Sequence, residues 1–428
     1  MPRHACFATL PVLPGGNLGI PYMVHRESNW IGVAFGLVLA AYAAFQQFKL
    51  PPALPLMLES YGYDRTLAGG FMSAYAVAGL ALSFAMGRLI ERRGAAIPIA
   101  TGLCLMTAGL VLTLAMPEAG RLVLASRTLE GIAFAVFAIA GPVLANANAS
   151  ARHLPVVIAL TAAWIPIGQL LAVVLAEPSF AFAGWSGLWW IGLAMSAGMM
   201  LWLLGLRLSG RVDMGPRHRK PADATANRET VSKSQRISLI VTAAVFMVWS
   251  AQYFAFMTWL PQYLVEALGL SVSGAVAGYA LPVAILLVAI MVTGQILRRG
   301  VPVGPLLVAG LALQVASWVL LPVAGGGFGG ALALVLYGTA AGIVPTCLFA
   351  MPSAIVGHGQ AAATAFGIIM TGRNAGVFAG PIALAQLFAL TGGWAWAAPM
   401  LGVVTGIALA LGAWLATRLS GVAYGTSR

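Results

Sequence analysis

Apolar runs of about 20 residues recur along almost the whole chain, and they constrain the fold more than any other feature. A helix of that length crosses the ~30 Å hydrocarbon core of a bilayer. Lipid offers no partner to backbone N–H and C=O groups, so such segments must be helical. The predicted spans are residues 30–57, 66–86, 95–116, 121–144, 154–175, 184–206, 237–264, 272–296, 301–323, 328–356, 361–390 and 394–419. The sequence therefore predicts an all-α membrane protein with twelve transmembrane helices.

The composition excludes several other classes of protein. Charged residues make up 8% of the chain, whereas a soluble domain carries about 25%. The three cysteines, Cys6, Cys104 and Cys347, have neither disulfide-framework nor metal-ligand spacing. The hydrolase motifs HExxH and GxSxG are absent from the sequence. We therefore expect no enzyme activity, no metal and no cofactor.

Positive charge is concentrated on one side of the predicted membrane. Segment 207–236 carries eight Lys/Arg against three acids, and the topology places 18 of the 23 Lys/Arg on the side of both termini. Because Lys and Arg accumulate in cytoplasmic loops, we expect both termini and segment 207–236 to be cytoplasmic, in a protein of the plasma (inner) membrane. The net charge of +12 then requires no nucleic-acid partner.

The sequences on the two sides of segment 207–236 repeat each other. Leu54-Pro55 recurs as Leu260-Pro261 and Gly131 recurs as Gly338, at offsets of 206 and 207 residues. In transporters built from such repeats, the binding site lies between the halves near the bilayer midplane. The predicted domains are a disordered tail (1–29), a six-helix bundle (30–206), a slack basic linker (207–236), a second six-helix bundle (237–419) and a tail (420–428). We expect a monomer, and Met23 is an alternative start of translation.

Three motifs in this repeat resemble the major facilitator superfamily. They read Gly87-Arg88-Leu89-Ile90-Glu91-Arg92-Arg93-Gly94 after span 2, Arg127-Thr128-Leu129-Glu130-Gly131 in span 4 and Gly372-Arg373-Asn374-Ala375-Gly376 in span 11. The resemblance covers residues 30 to about 419 and implies two pseudo-symmetric six-helix bundles that work by alternating access. It also implies a conformational loop formed by Gly87, Glu91, Arg92, Arg93 and Gly94. The two glycines of that loop are expected to permit a tight turn.

The resemblance also raises particular subfamilies. Span 11 is reminiscent of nitrate-type porters. Those porters carry a substrate arginine in span 2 and in span 8, whereas spans 2 and 8 of this chain carry none. Cyanate-type porters and organic-anion permeases are the other subfamilies that the resemblance suggests.

Four charged side chains lie well inside predicted spans: Lys49, Arg127, Glu130 and Arg373. A charge at mid-bilayer costs at least ~2.5–3.5 kcal/mol, so such groups usually face a cavity or a partner. Arg127 and Glu130 are three residues apart on one helix face. They form either a self-neutralising pair or a proton switch in which Glu130 takes up the proton. Tyr337 occupies the position that the repeat relates to Glu130 and is a candidate hydrogen-bond partner.

Lys49 follows Gln46 and precedes prolines at positions 51, 52 and 55, which break a helix and free its carbonyl groups. If span 1 continues to about Leu58, Lys49 lies in a central cavity. If the span ends at Leu50, the ammonium group reaches back to the surface. The resemblance favours the longer span. Lys49 and Gln46 are therefore substrate-binding candidates.

The remaining substrate-binding candidates come from three other spans. Arg373 has no acid within its own half except at an outer loop, and Asn374 adjoins it. Span 7 presents Gln252 and Tyr253 on an aromatic face, which is either a packing surface or a ligand wall. Trp164 is a similar candidate in span 5.

These residues lead to a functional expectation. Lys49, Arg127 and Arg373 with Glu130 leave a buried charge of +2, which attracts an anion. We expect a proton-coupled secondary transporter, a symporter, for a small organic or inorganic anion. An alternative is a proton-driven exporter of drug-like compounds, which Pro166 and Gly168 in span 5 indicate. A non-transporting membrane receptor is the third candidate.

Overall fold

The computed structural model describes residues 27–150, 152–212, 214, 232–325, 327–357 and 360–423. Regular secondary structure in these ranges is entirely helical. The helices are α1 (Trp30–Phe48), α2 (Leu50–Tyr61), α3 (Arg65–Arg93), α4 (Ala96–Ala115), α5 (Gly120–Asn148), α6 (Leu154–Ala162), α7 (Trp164–Ala183), α8 (Gly187–Ser209), α9 (Lys233–Glu266), α10 (Val272–Arg298), α11 (Val303–Ala324), α12 (Gly327–Val356), α13 (Gln360–Thr391) and α14 (Ala397–Ala423). We call α1–α8 the N-half and α9–α14 the C-half. Most of the predicted N-terminal tail and of segment 207–236, and the last five residues, lie outside the described ranges.

Ten helical stretches in the described residues are long and apolar enough to cross a membrane. Helices α1 and α2 count as one stretch, Trp30–Tyr61, and α7 and α8 are joined in Trp164–Ser209. Every predicted span overlaps a helix, but α3 is not among the ten stretches. The finding is thus an all-helical protein with ten candidate membrane-spanning stretches, two fewer than the prediction.

Short polar side chains set where several helices begin. The Asn29, Asp64 and Ser271 side chains each accept a hydrogen bond from a backbone N–H in the first turn of the following helix. Ser232 and Gln235 form a reciprocal capping box at the start of α9. Such caps satisfy N–H groups that have no partner within the helix. They explain why the helices begin where the apolar runs meet polar residues.

The internal repeat is visible in helix packing. A methyl group added to Gly131 on α5 would lie 2.7 Å from the Tyr75 Cα on α3. A methyl group added to Gly338 on α12 would lie 2.6 Å from the Pro282 carbonyl oxygen on α10. Each residue of the second contact lies 207 positions after its counterpart in the first. The same close helix crossing therefore occurs once in each half, each time at the equivalent glycine.

A row of glycines joins α13 to α9 along the C-half. Added methyl groups at Gly372, Gly376 and Gly380 would lie 2.2, 2.0 and 2.0 Å from carbonyl oxygens of α9. These glycines are four residues apart, so they share one helix face. Small residues on one face let helix backbones approach closely in a membrane. We call this contact the glycine seam.

Four pairs of helices make the main contacts between the two halves in the described part of the chain. Helix α3 packs against α13, where Gly69 approaches the carbonyl group of Pro381, and α7 packs against α10. Helix α2 packs against both α9 and α10. Helix α9 begins at Lys233 beside the linker and ends at Glu266. We therefore name the two ends of the molecule the linker end and the Glu266 end.

The start of segment 207–236 is attached to the N-half. The Asn29 side chain donates to the carbonyl oxygen of Arg211 at 2.6 Å, and the Ala95 N–H donates to that of Met214 at 2.9 Å. Val212 and Met214 are buried. A slack linker was predicted from residue 207 onward, but its first residues are docked because these two apolar side chains pack on the bundle.

Candidate functional site

The candidate site begins at a break in the first membrane stretch. Helix α1 ends at Phe48 and α2 starts at Leu50, so Lys49 stands at the junction. Pro51 has no N–H, so the carbonyl oxygen of Gln47 receives no helical hydrogen bond from it. Arg127 Nη2 donates to that Gln47 oxygen at 3.2 Å instead. The break thus provides an acceptor deep inside the protein.

Glu130 is the centre of a fully buried ionic cluster. Its Oε2 atom accepts from Arg127 Nη1 at 2.7 Å, Lys49 Nζ at 3.1 Å and the Tyr75 hydroxyl at 2.6 Å. The side chains of Lys49, Arg127 and Glu130 are all 0% exposed. Glu130 Oε1 has no hydrogen-bond partner among the described residues. One carboxylate therefore neutralises one of two buried cations and keeps one oxygen free.

Arg127 is held mainly by backbone groups. Its Nε atom donates to the carbonyl oxygen of Phe71 at 3.3 Å, and Nη1 donates to that of Gln46 at 3.2 Å. The guanidinium group also lies 4.1 Å from the centre of the Tyr75 ring. Because these acceptors belong to α1 and α3, Arg127 ties three helices of the N-half together.

Lys49 lies inside the N-half. The longer first span was predicted to place it in a central cavity, and the stretch does continue to Tyr61. The ammonium group, however, donates to Gln46 Oε1 at 2.6 Å as well as to Glu130, and it lies 4.8 Å from the Trp189 ring centre. Gln46 Nε2 in turn donates to the Gly192 carbonyl oxygen. In this conformation, Lys49 therefore faces neither an open cavity nor the surface.

The C-half has no counterpart of this ionic cluster at the positions related by the repeat. Tyr337 was predicted as a hydrogen-bond partner of Glu130, but its hydroxyl has no partner among the described residues and it contacts Phe256 and Trp318. The Tyr337 prediction is wrong, because the Tyr337 ring packs against Phe256 and Trp318 inside the C-half, away from Glu130 and its partners in the N-half. Gln252 is 1% exposed, and neither of its amide atoms has a hydrogen-bond partner among the described residues. Buried amides are normally hydrogen-bonded, so Gln252 is a candidate ligand contact.

Arg373 is the cation that lies near the middle of a C-half helix, and no carboxylate among the described residues neutralises it. It is half-buried near the middle of α13, and its Nη1 atom donates to Asn374 Oδ1 at 2.9 Å. None of the three ion pairs in the described part of the chain includes it. The guanidinium group lies 5.6 Å from the Phe254 ring centre.

Aromatic and amide groups connect the halves beside Arg373. Phe254 stacks on Phe48 of α1 with ring centres 5.9 Å apart. Tyr253 donates from its hydroxyl to Gln169 Oε1 at 3.0 Å, and Gln169 Nε2 donates to the Tyr279 hydroxyl at 2.9 Å. Tyr253, predicted from sequence as a site residue, thus takes part in a bridge between α7 and the C-half.

The other predicted residues lie elsewhere. Trp164 is half-buried at the start of α7, with its ring 5.8 Å from that of Phe134. Residues Gly87 to Arg93 belong to the end of α3, so the expected tight turn at Gly87 is absent because the helix continues through it. Gly94 ends α3 with a φ of 81°, a conformation that glycine adopts readily. Arg92 and Arg93 are exposed, and the Glu91 side chain lies outside the described part of the chain.

A second ionic group, which the sequence did not predict, joins the halves at the Glu266 end. Arg65 of α3 donates to both carboxylate oxygens of Glu266, at 2.7 and 3.1 Å. Glu266 also accepts from Gln262 Nε2 at 2.6 Å and Trp394 Nε1 at 2.7 Å. We call these four residues the Glu266 cluster. The sequence signal for this pairing is weak: few charged residues lie in the loops at the Glu266 end of the molecule.

Comparison with known families places this architecture. The chain matches the Major Facilitator Superfamily over residues 33–381 and belongs to that superfamily. Its members are secondary transporters that bind small molecules within the membrane. The chain is thus a multi-pass membrane protein of a transporter family. A comparison with curated proteins finds no matching relative.

Proposed function

We propose that this protein is a proton-coupled symporter that carries a small anion across the membrane by alternating access. The observation that carries the proposal is Arg373, a half-buried cation in mid-helix whose side-chain hydrogen bond goes to Asn374 and not to an acid. A charge at such a depth normally has a partner or faces a cavity. A carboxylate or an inorganic anion would supply the missing partner.

The ionic cluster of the N-half supplies the coupling. Glu130 Oε1 receives no hydrogen bond within the described ranges, so it is the atom that can accept a proton without losing a donor. Protonation removes the counter-charge of Lys49 and Arg127, which leaves two buried cations without an anion. An incoming anion restores the balance. Proton and anion therefore stabilise each other's binding, as symport requires.

The candidate contacts of the anion come from both halves. Arg373 and Asn374 face it from the C-half together with Gln252 and Tyr253, and Lys49 with Gln46 faces it from the N-half after Glu130 is protonated. Phe254 supports the placement because it contacts the ring of Phe48, which precedes Lys49, and the Arg373 guanidinium group.

The transport cycle follows from a two-bundle architecture with twelve spans. We propose that the protein is a monomer in which residues 30–206 rock against residues 237–419. The protein lies in the plasma (inner) membrane in this arrangement. Both termini and segment 207–236 lie on the cytoplasmic side of that membrane. The two copies of the glycine-mediated helix crossing, at Gly131 and Gly338, support the duplicated bundle.

Thermal stability of the purified protein tests the anion site. Acetate, benzoate and nitrate are compared with the cation ethidium, and we expect stabilisation by at least one anion. Arg373→Ala should abolish that stabilisation, whereas the matched variant Arg418→Ala, which removes an arginine beside Trp414, should keep it. An anion effect that survives in Arg373→Ala would exclude this arginine as the anion contact.

Uptake into proteoliposomes tests the coupling. Glu130→Gln should abolish accumulation driven by a pH gradient but retain exchange of labelled anion at equal pH on both sides. A variant that merely misfolds loses both activities, so the two assays separate coupling from stability. Gradient-driven accumulation that persists in Glu130→Gln would refute the coupling role of Glu130.

The second candidate function is proton-driven export of drug-like molecules. The aromatic surface around Trp249, Tyr253 and Tyr337 favours it, because these rings form parallel stacks with centres 5.1 and 6.5 Å apart. Stabilisation by ethidium and by none of the anions would support export and exclude the anion proposal.

A further inference from the structure

A cavity of about 240 Å³ lies in the C-half, away from Arg373 and the ionic cluster. Its lining combines aliphatic residues with five aromatic side chains, Phe256, Trp259, Tyr263, Trp318 and Trp394. Phe256 is ten residues before Glu266 on α9, which corresponds to about 15 Å at 1.5 Å per residue. The cavity therefore extends from the Glu266 end deep into the bundle of α9, α11, α13 and α14.

The rings that line this cavity are held in place by their own polar atoms. Trp259 Nε1 donates to the Pro381 carbonyl oxygen at 3.1 Å, and Trp318 Nε1 donates to Thr405 Oγ1 at 2.8 Å. Trp394 Nε1 donates to Glu266 at 2.7 Å. Each indole N–H is thus satisfied by a protein group. Because these donors are already used, the cavity offers its occupant apolar ring surface and little hydrogen bonding.

The size of the cavity selects the class of occupant. An apolar protein cavity of about 150 Å³ binds benzene, so a cavity of about 240 Å³ accommodates a molecule with two fused rings. Aromatic pairs with centres about 4.5–7 Å apart attract each other beyond simple burial. We propose that this cavity binds a small, uncharged, two-ring aromatic molecule, and that its occupancy strengthens the Glu266 cluster.

Trp394 provides the link between cavity and cluster. Its ring lines the cavity and contacts Tyr263 with centres 5.6 Å apart, while its Nε1 atom holds Glu266. With the cavity empty, the Trp394 ring has space to turn inward and release Glu266. An occupant fills that space and keeps the ring in its bonded position. Occupancy therefore favours the conformation in which Arg65 bridges the halves and the Glu266 end is closed.

Indole binding to the detergent-purified full chain tests the site. We expect saturable thermal stabilisation by indole in the wild type. Ala398→Phe, which fills the cavity, should abolish it. The matched control Ala108→Phe makes the same change in a cavity of the N-half that shares no lining residue with this one, and it should retain the stabilisation. If indole stabilised Ala398→Phe as much as the wild type, the assignment would be overturned. Stabilisation by decane in place of indole would also overturn it, because it indicates a site for a lipid chain.

Cysteine accessibility tests the link to the cluster. Leu58 lies between the halves in the cavity next to Arg65 and Glu266. Leu58→Cys, in a chain whose Cys6, Cys104 and Cys347 are replaced by serine, reports opening of this end through its alkylation rate. Indole should slow alkylation at least threefold. Trp394→Phe keeps the ring but loses the N–H, so it should still bind indole without the slowing. An unchanged rate in the wild type, or slowing that persists in Trp394→Phe, would refute the link.

Discussion

Replacing Glu130 by glutamine tests whether the buried cluster is ionic in the folded protein. The change keeps the shape of the side chain but leaves Lys49 and Arg127, both 0% exposed, without a negative partner. Removing one partner of a buried ion pair costs about 3–5 kcal/mol. We therefore expect the free energy of unfolding to fall by about that amount, measured by reversible unfolding in mixed micelles.

Glu266→Gln is the matched control for this prediction. It neutralises the carboxylate of the other ion pair, whose side chains are 28% exposed. Ion pairs accessible to solvent contribute about 0–1 kcal/mol, so the control should lose much less stability than Glu130→Gln. The two substitutions are chemically identical, so the comparison contrasts a buried carboxylate that has two cationic partners with a partly exposed carboxylate that has one.

A double variant separates the charge effect from lost packing. Lys49→Met combined with Glu130→Gln removes one of the uncompensated cations, while Arg127 keeps the carbonyl groups of Phe71, Gln46 and Gln47. Groups in one network show interaction energies of about 0.5–3 kcal/mol, so the double variant should be more stable than Glu130→Gln alone. If Glu130→Gln costs no more than the control, Glu130 is already protonated in this conformation and the ion-pair reasoning fails.

Three further predictions concern packing and the contacts between the halves. Gly376→Ala should destabilise the protein by about 1–3 kcal/mol relative to Gly367→Ala, because its methyl group would lie 2.0 Å from a backbone oxygen while that of Gly367 meets nothing within 4 Å; equal melting temperatures would contradict the glycine seam. Gln169→Leu should cost about 1–3 kcal/mol, since it leaves two buried tyrosine hydroxyls unpartnered, and calorimetry that finds no loss would disprove the bridge. Asn374→Ala should weaken anion-dependent stabilisation without abolishing it, because Arg373 keeps its charge but loses its orienting contact; titration with the stabilising anion measures the change in affinity.

The sequence predicts the helical architecture well because lipid permits few alternatives. Span length, the half repeat and the Arg127–Glu130 spacing are local or periodic features, so they can be read without coordinates. The partner of Lys49 is different, because Glu130 is 81 positions away and the contact depends on how α1 and α5 are rotated against each other. The Arg65–Glu266 pair spans 201 positions and presents the same difficulty.

Local chemistry was also misleading at two positions. Gly87 suggested a turn, but a glycine inside a long apolar helix costs only about 1 kcal/mol, and α3 continues through it. The polar composition of segment 207–236 suggested a slack linker from its first residue. Val212 and Met214 pack on the N-half because even two apolar side chains gain from leaving water.

The glycine seam has a mechanical consequence. The backbones of α9 and α13 are in direct contact at three successive helical turns. The two helices therefore move as one rigid unit and have little freedom to slide past each other. Arg373 lies on α13 between Gly372 and Gly376, and Glu266 is the last residue of α9. A displacement of Arg373 in mid-membrane therefore also moves α9, the helix that ends at Glu266. If Arg373 binds the anion as proposed, anion binding and the arrangement of the Glu266 cluster are therefore mechanically coupled through these two helices.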